Sequence, residues 1–387
     1  MKALILVCDC AGAAALVWLL NTVALIQFRR AKGAHWTERA RALYPARVAA
    51  TLSIWILPVD LALAQQLASP GLAPHWVLAG LTAWVGAVAG TYPFDREVLP
   101  WLAPRAWLRN VLTSWLIRFA LWFVLVGVIV LMPAELDWRG GLLAALFVGL
   151  FVAWCWGGFL WVGRQLGLLR AAPERLRRIV ADVAGRMGIP VRGVWLLEYP
   201  RSFAFALPYT GDLAFSGRLL ERLPDDEVAA ICAHELGHLA ESKLIVGTRV
   251  FADLAWLVPW LFLKPASHAF DAVGIGAIAL GSLFTLFGAR WFSRHLERRA
   301  DRAAHTSGGE AGTYARALAR LYEDNLIPAV LPSRGRTHPD LYDRLLAVGV
   351  QPDFPRPTAP SSNTVHGVLL CVLLGILAVL TLNRLYP

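Results

Sequence analysis

His234 and His238 stand four residues apart, with Glu235 beside the first, in the run His-Glu-Leu-Gly-His at 234–238. On a helix, positions i and i+4 lie on one face, one turn apart. Two imidazoles at that spacing meet a single metal ion, and Glu235 falls within reach of a water on it. This is the pattern of a zinc peptidase, two histidine ligands with a glutamate general base. A hydrolytic zinc site takes three protein ligands and leaves one position open. Glu297 qualifies as the third ligand, because it follows an apolar hairpin that returns the chain to the same side of a membrane. Asp301, one turn further along the same face, is placed to hydrogen-bond a ligand histidine from behind. His305 continues that face as a weaker ligand candidate, either an outer partner or a structural residue.

The elements that must position these residues are also legible. Pro224, followed by Asp225, Asp226 and Glu227, opens a helix with acidic residues in its first turn. That helix runs through the pentad. Gly237 is a poor helix former that admits a close approach of backbone or substrate. Upstream, Pro173 opens an amphipathic helix to about Met187, stopped by Gly188 and Pro190. Val194–Leu197 reads as a short strand. Ser202–Pro208 and Leu213–Ser216 read as a hairpin turning at Thr210, Gly211 and Asp212. Residues 313–326 and Leu341–Val348 are expected as further helices.

The rest of the chain is strongly apolar. Of 387 residues 57% are hydrophobic, and the mean hydropathy is +0.53; soluble domains sit nearer about 45–50% apolar. The excess falls in long runs. Eight candidate spans lie at about 4–28, 47–68, 74–92, 111–132, 141–163, 246–263, 270–290 and 364–383, each near the ~20 residues a bilayer core requires. Arginines and lysines gather in alternate loops: Arg29, Arg30, Lys32, Arg39, Arg41 and Arg47, then Arg96, Arg105 and Arg109, then Arg164, Arg170, Arg175, Arg177 and Arg178. The positive-inside rule then places the N-terminus outside and the polar 164–245 segment in the cytoplasm. The net charge of +10 is accounted for by these loops, and no basic, aromatic-interleaved module suggests nucleic acid. Five scattered cysteines form neither a disulfide framework nor a paired zinc motif. Asp60 in the second span and Arg118 in the fourth are expected to pair between helices, since intramembrane charges seek partners.

The expected fold class is mainly α: a polytopic membrane protein of about eight transmembrane helices with a cytoplasmic α+β zincin-like domain carrying a small sheet. The expected division is a five-span region at 1–163, a metallopeptidase domain at 164–348 interrupted by the hairpin at 246–290, a Pro/Ser-rich linker at 349–363 and a last helix at 364–387.

The pentad, two spans, and then Glu297, Arg298, Arg299, Ala300 and Asp301 resemble the membrane-embedded gluzincin metallopeptidases of the HtpX and type 1 CAAX prenyl protease kind. Ser293 and Arg294 before Glu297 are similar to the family's Ser-Arg-x-x-Glu run. His338, Pro339 and Arg344 resemble its late His-Pro-x(4)-Arg element, and Ala204, Phe205 and Ala206 its Asn-Ala-Phe strand. The resemblance covers about 170–348. It implies that His234, His238 and Glu297 hold one zinc ion per chain and that Glu235 is the base. Asp301 and Arg344 would support the site, and His338 would lie near the developing oxyanion. The strand at Ser202, Phe203, Ala204 and Phe205 would bind a peptide or protein substrate, membrane-associated or misfolded, by strand addition. Phe203 stands where the family places Asn, so the substrate-orienting amide is missing or replaced by Ser202. The resemblance also implies a bacterial inner-membrane location. A scaffold or signalling relative that keeps the fold without catalysis, and a transporter with a coincidental pentad, are the competing readings. The sequence is silent on oligomeric state.

Overall fold

The computed structural model of the chain describes residues 2–68, 75–307, 310, 312–331, 340–347 and 349–361. They divide into two compact units. The expected span at 364–383 and His338 lie outside the described residues, as do the side chains of Asp60 and Arg118.

The first unit draws on Met1–Leu102, Asn325–Arg334 and Pro352–Pro387. Its helices are α1 (Lys2–Arg30), α2 (Trp36–Ala68), α3 (His75–Gly90) and α4 (Tyr92–Val98). Gly86 and Gly90 of α3 lie directly against the backbone of α1. A Cβ on either would sit 2.1 Å from the Cys10 carbonyl oxygen or 2.6 Å from that of Ala14. Small residues at a four-residue spacing let two apolar helices touch, which is how helices associate when lipid removes the hydrophobic drive. Leu25, Phe28, Leu43, Phe94 and Val98 form the buried core at the other end of these helices.

The second unit draws on Ala103–Asp324 and Gly335–Gln351. The division by compactness falls at Leu102, and the next helices belong to the same unit as the polar domain. These are α5 (Pro104–Leu131), α6 (Trp138–Ala153) and α7 (Phe159–Gln165), the last two joined through a wide turn at Trp154–Gly158 where Gly157 has φ 138°. The polar domain holds β1 (Leu169–Ala171), α8 (Glu174–Met187), β2 (Gly193–Leu197), β3 (Ala204–Leu207), β4 (Asp212–Ser216), α9 (Gly217–Arg222) and α10 (Asp225–Leu239). Then come α11 (Lys243–Leu261), α12 (Leu263–Ser307), α13 (Thr313–Asp324) and α14 (Leu341–Ala347). α8 buries Leu176, Val180 and Val183 on one face and ends at Gly188, whose left-handed φ of 65° suits glycine.

The sheet runs β1-β2-β4-β3. β3 and β4 form the expected antiparallel hairpin. β2 pairs with β4 in parallel, and the unanticipated β1 pairs antiparallel with β2. β4 is buried along its length, and β3 forms an edge. The Ser216 amide donates to the Phe203 carbonyl over 2.8 Å. Alternation along an antiparallel pair then turns the backbone groups of Ala204 and Ala206 away from β4.

Four described helices are long and apolar enough to cross a membrane: Leu6–Arg30, Trp138–Gln165, Lys243–Leu261 and Leu263–Ser307. A fifth counts if Pro104–Ile117 and Phe119–Leu131, bent by 54°, act together. α3, at 16 residues, is shorter than the ~20 a span requires. α12 continues without interruption from its apolar stretch into the charged segment; its one break is at Asp271, with φ 50°.

Candidate metal centre

α10 is buried along most of its length, from Val228 through His238. Gly237 explains how a charged partner reaches it. A Cβ there would meet Ala300 Cα at 3.0 Å and Ala303 Cβ at 3.3 Å, so α12 crosses α10 almost in backbone contact. The close approach expected at Gly237 is thus made by a helix. Glu297 lies one turn before Ala300, and this crossing brings its carboxylate to the pentad. Arg299 of α12 also donates to the Ala240 carbonyl at the end of α10, over 2.8 Å, where a cation suits the free carbonyls.

The imidazoles of His234 and His238 lie nearly perpendicular, with ring centroids 5.0 Å apart. Each turns Nε2 toward Glu297: His234 Nε2 lies 3.6 Å from Oε2 and His238 Nε2 3.6 Å from Oε1. One donor atom from each of the three residues lies within 4.8 Å of the others. Ligands about 2.0–2.2 Å from one tetrahedral ion are separated by about 3.3–3.6 Å. Two imidazoles and a carboxylate at that spacing fit zinc, and three donors leave a corner for water or substrate.

The Nδ1 atoms face outward, each to its own support. His234 Nδ1 lies 3.2 Å from Asp301 Oδ1 and 2.8 Å from the Tyr314 hydroxyl. Tyr314 donates to Asp301 over 2.7 Å. Arg344 Nε donates to Asp301 Oδ2 over 3.1 Å, and its Nη2 donates to Asp301 Oδ1 and, over 3.0 Å, to the Tyr314 oxygen. His238 Nδ1 lies 3.0 Å from Glu241 Oε1. Burial alone would lower the pKa of His234. Hydrogen bonds to Asp301 and Glu297, with the nearby charge of Glu235, outweigh it and raise the pKa to about 9. Burial pushes the Tyr314 phenol well above its ordinary value, so it stays a donor.

Glu235 is buried beside His234. Its carboxylate makes no hydrogen bond or ion pair among the described residues, in contrast to Asp301 and Glu241. His305 is exposed and stands apart from the three clustered donors. Ser202 is buried and donates its hydroxyl to Asp324 over 2.6 Å, which commits that oxygen to α13. Phe203 is 47% exposed. Its ring lies 5.7 Å from Phe205 and 6.2 Å from Tyr199, giving the edge strand an aromatic surface.

Tyr314 and Glu241 were not foreseen. Glu241 had a signal, since three residues after His238 is one turn on the same face. Tyr314 had none, because its place depends on how α13 packs against α10.

Residues 171–349 match Peptidase family M48. The chain is 30% identical over 159 residues to "Protease HtpX homolog" of Methanothermobacter thermautotrophicus, covering 39% of this chain and 60% of that protein. It is 31% identical over 179 residues to "Protease HtpX" of Pseudomonas paraeruginosa, covering 41% and 60%. It is 29% identical over 216 residues to "Protease HtpX" of Chromohalobacter salexigens, covering 46% and 72%. The chain thus spans about 60% of the length of the first of these relatives.

Proposed function

We propose, from the peptidase family M48 domain that residues 171–349 carry, that this chain is a membrane-bound zinc metalloendopeptidase. His234, His238 and Glu297 hold the ion, and Glu235 is the general base. A zinc ion in such a site acidifies water and polarises a carbonyl. Glu235 accepts the proton of the attacking water and passes it to the leaving amine. Asp301 and Glu241 hold the two imidazoles with Nε2 inward, which fixes their tautomers. His338 stabilises the oxyanion, as the family resemblance implies.

The substrate peptide pairs with the outward backbone groups of Ala204 and Ala206 at the β3 edge, a mode that reads main chain more than side chain. Phe203 and Phe205 then favour apolar side chains on the peptide. That suits unfolded or membrane-derived segments as substrates. The catalytic domain faces the cytoplasm, with the apolar helices crossing a bacterial inner membrane several times.

The observation that carries this reading is the state of Glu235. A structural zinc site takes four protein ligands and has no use for an adjacent unpartnered carboxylate. Here three donors converge, and the carboxylate of Glu235 beside them makes no hydrogen bond or ion pair among the described residues. Glu235→Gln is the test. Bound zinc should stay at the wild-type level, while cleavage of casein or a membrane-protein substrate in detergent falls by about 10²–10⁴-fold. Cleavage at the wild-type rate would reject the assignment.

A further inference from the structure

Glu241 lies in the short joint between α10 and α11, its amide donating to the His238 carbonyl over 3.2 Å. Ser242, the next residue, caps α11 by accepting from the Ile245 amide. The Glu241 side chain is only 2% exposed. A buried carboxylate is costly unless charge and hydrogen bonds compensate it. Arg249, two turns along α11, supplies both: its Nη2 donates to Glu241 Oε1 over 2.6 Å. The same oxygen receives His238 Nδ1 at 3.0 Å. One carboxylate oxygen therefore joins a guanidinium on an apolar helix to a metal-facing imidazole.

The far side of α11 is also fixed. Val250, Leu257 and Leu261 are buried with Leu125 and Val128 of α5, with Met132 just past its end, and with Phe147 and Phe151 of α6. The position of Arg249 is thus set by the apolar bundle. Thr248, its neighbour, is exposed on α11 and bonds its own helix at the Leu244 carbonyl.

We propose that Glu241 and Arg249 act as a positioning pair for His238, so that metal affinity at this ligand depends on the seating of helix α11. The pair touches neither substrate nor the reacting atoms. Its effect passes through the orientation and basicity of one imidazole. This rests on the reading of His238 as a zinc ligand, and the experiment separates the two.

The full chain, purified in detergent and stripped of metal, is titrated with zinc against a chromophoric chelator. Wild type should take up one zinc; no uptake would sink the metal reading itself. Given uptake, Glu241→Gln should weaken zinc binding by about 10–100-fold. Arg249→Met should weaken it similarly, with Arg249→Lys recovering part of the loss. The double variant Glu241→Gln/Arg249→Met should be no weaker than the worse single, because the two act as one unit. Thr248→Ala should bind as wild type. The thermal midpoint of the stripped protein is followed in parallel. Affinity lost out of proportion to any fall in that midpoint supports the pair. Wild-type affinity in Glu241→Gln, additive losses in the double variant, or affinity falling only in step with the midpoint would each overturn it.

Discussion

Behind His234 stand Asp301, Tyr314 and Arg344, contributed by α12, α13 and α14. Behind His238 stand Glu241 and Arg249, from the α10–α11 joint and the apolar helix α11. The first flank is a mesh: Nδ1 of His234 has two neighbours, and these bond each other and share the same arginine. The second is a chain in single file, imidazole to carboxylate to guanidinium. The contrast has a physical consequence. In a mesh, deleting one strand leaves the others to hold the ring. In a chain each link carries the whole load. The mesh also belongs to polar segments, while the chain ends among apolar side chains.

The largest expected effect removes what the two flanks share. Glu297→Gln withdraws the carboxylate that faces both imidazoles. Zinc affinity, measured by chelator competition, should fall by more than the about 10–100-fold cost of losing an outer partner, and cleavage should vanish with it. Retained zinc would mean the two imidazoles are not joined through this carboxylate, and the comparison would lose its common centre.

Next comes Asp301→Asn, which strips the mesh of its charge and leaves Arg344, 9% exposed, without its carboxylate. Breaking a buried ion pair from one side costs about 3–5 kcal/mol. The thermal midpoint of the metal-stripped protein should drop accordingly.

The raised pKa of His234 sharpens the picture through pH. Below about 9 the imidazole holds a proton, and zinc must displace it. Apparent affinity should therefore climb by about tenfold per pH unit between about pH 7 and about pH 9, then level off. Calorimetry in buffers of different ionisation enthalpy should detect the released proton. The same proton stabilises the stripped fold: its contribution is complete below the ordinary value of 6.5 and is lost as pH rises through about 9. A flat profile over that range would mean that the carboxylates do not hold a proton on His234.

The smallest effect tests the mesh as a mesh. Tyr314→Phe removes one hydroxyl while Asp301 still faces Nδ1. The loss in stability should be about 0.5–1.5 kcal/mol, and zinc affinity should change less than in Glu241→Gln. A larger loss for Tyr314→Phe would reverse the contrast between the flanks.

Much of this centre is written in local spacing. His234, Glu235 and His238 share one helical stretch, and Glu297 and Asp301 another, so a period of 3.6 residues places each set before any packing is known. The β3–β4 hairpin is equally local, with Gly211 at its turn. What escaped depends on contacts far apart in the chain. The parallel pairing of β2 with β4 and the short β1 have no local signature. Tyr314 reaches His234 across 80 residues. The Ser202 hydroxyl reaches Asp324 across 122 residues. Apolar runs reveal helices without fixing which are long enough to cross. α3 shows this at 16 residues, and the broken helix at Pro104–Leu131 shows it by its bend.

α12 carries an apolar stretch and Glu297, the third donor of the candidate metal centre, on one rod, unbroken from beyond Asp271 to Ser307. Each residue of an α-helix adds about 1.5 Å of rise and about 100° of rotation. Inserting one residue between those two parts would turn them relative to each other by that angle. Either Glu297 would swing away from the imidazoles or the apolar side chains would lose their register against α11. The oily half of this helix therefore keeps count for the acidic half: its length helps set where Glu297 meets the two imidazoles.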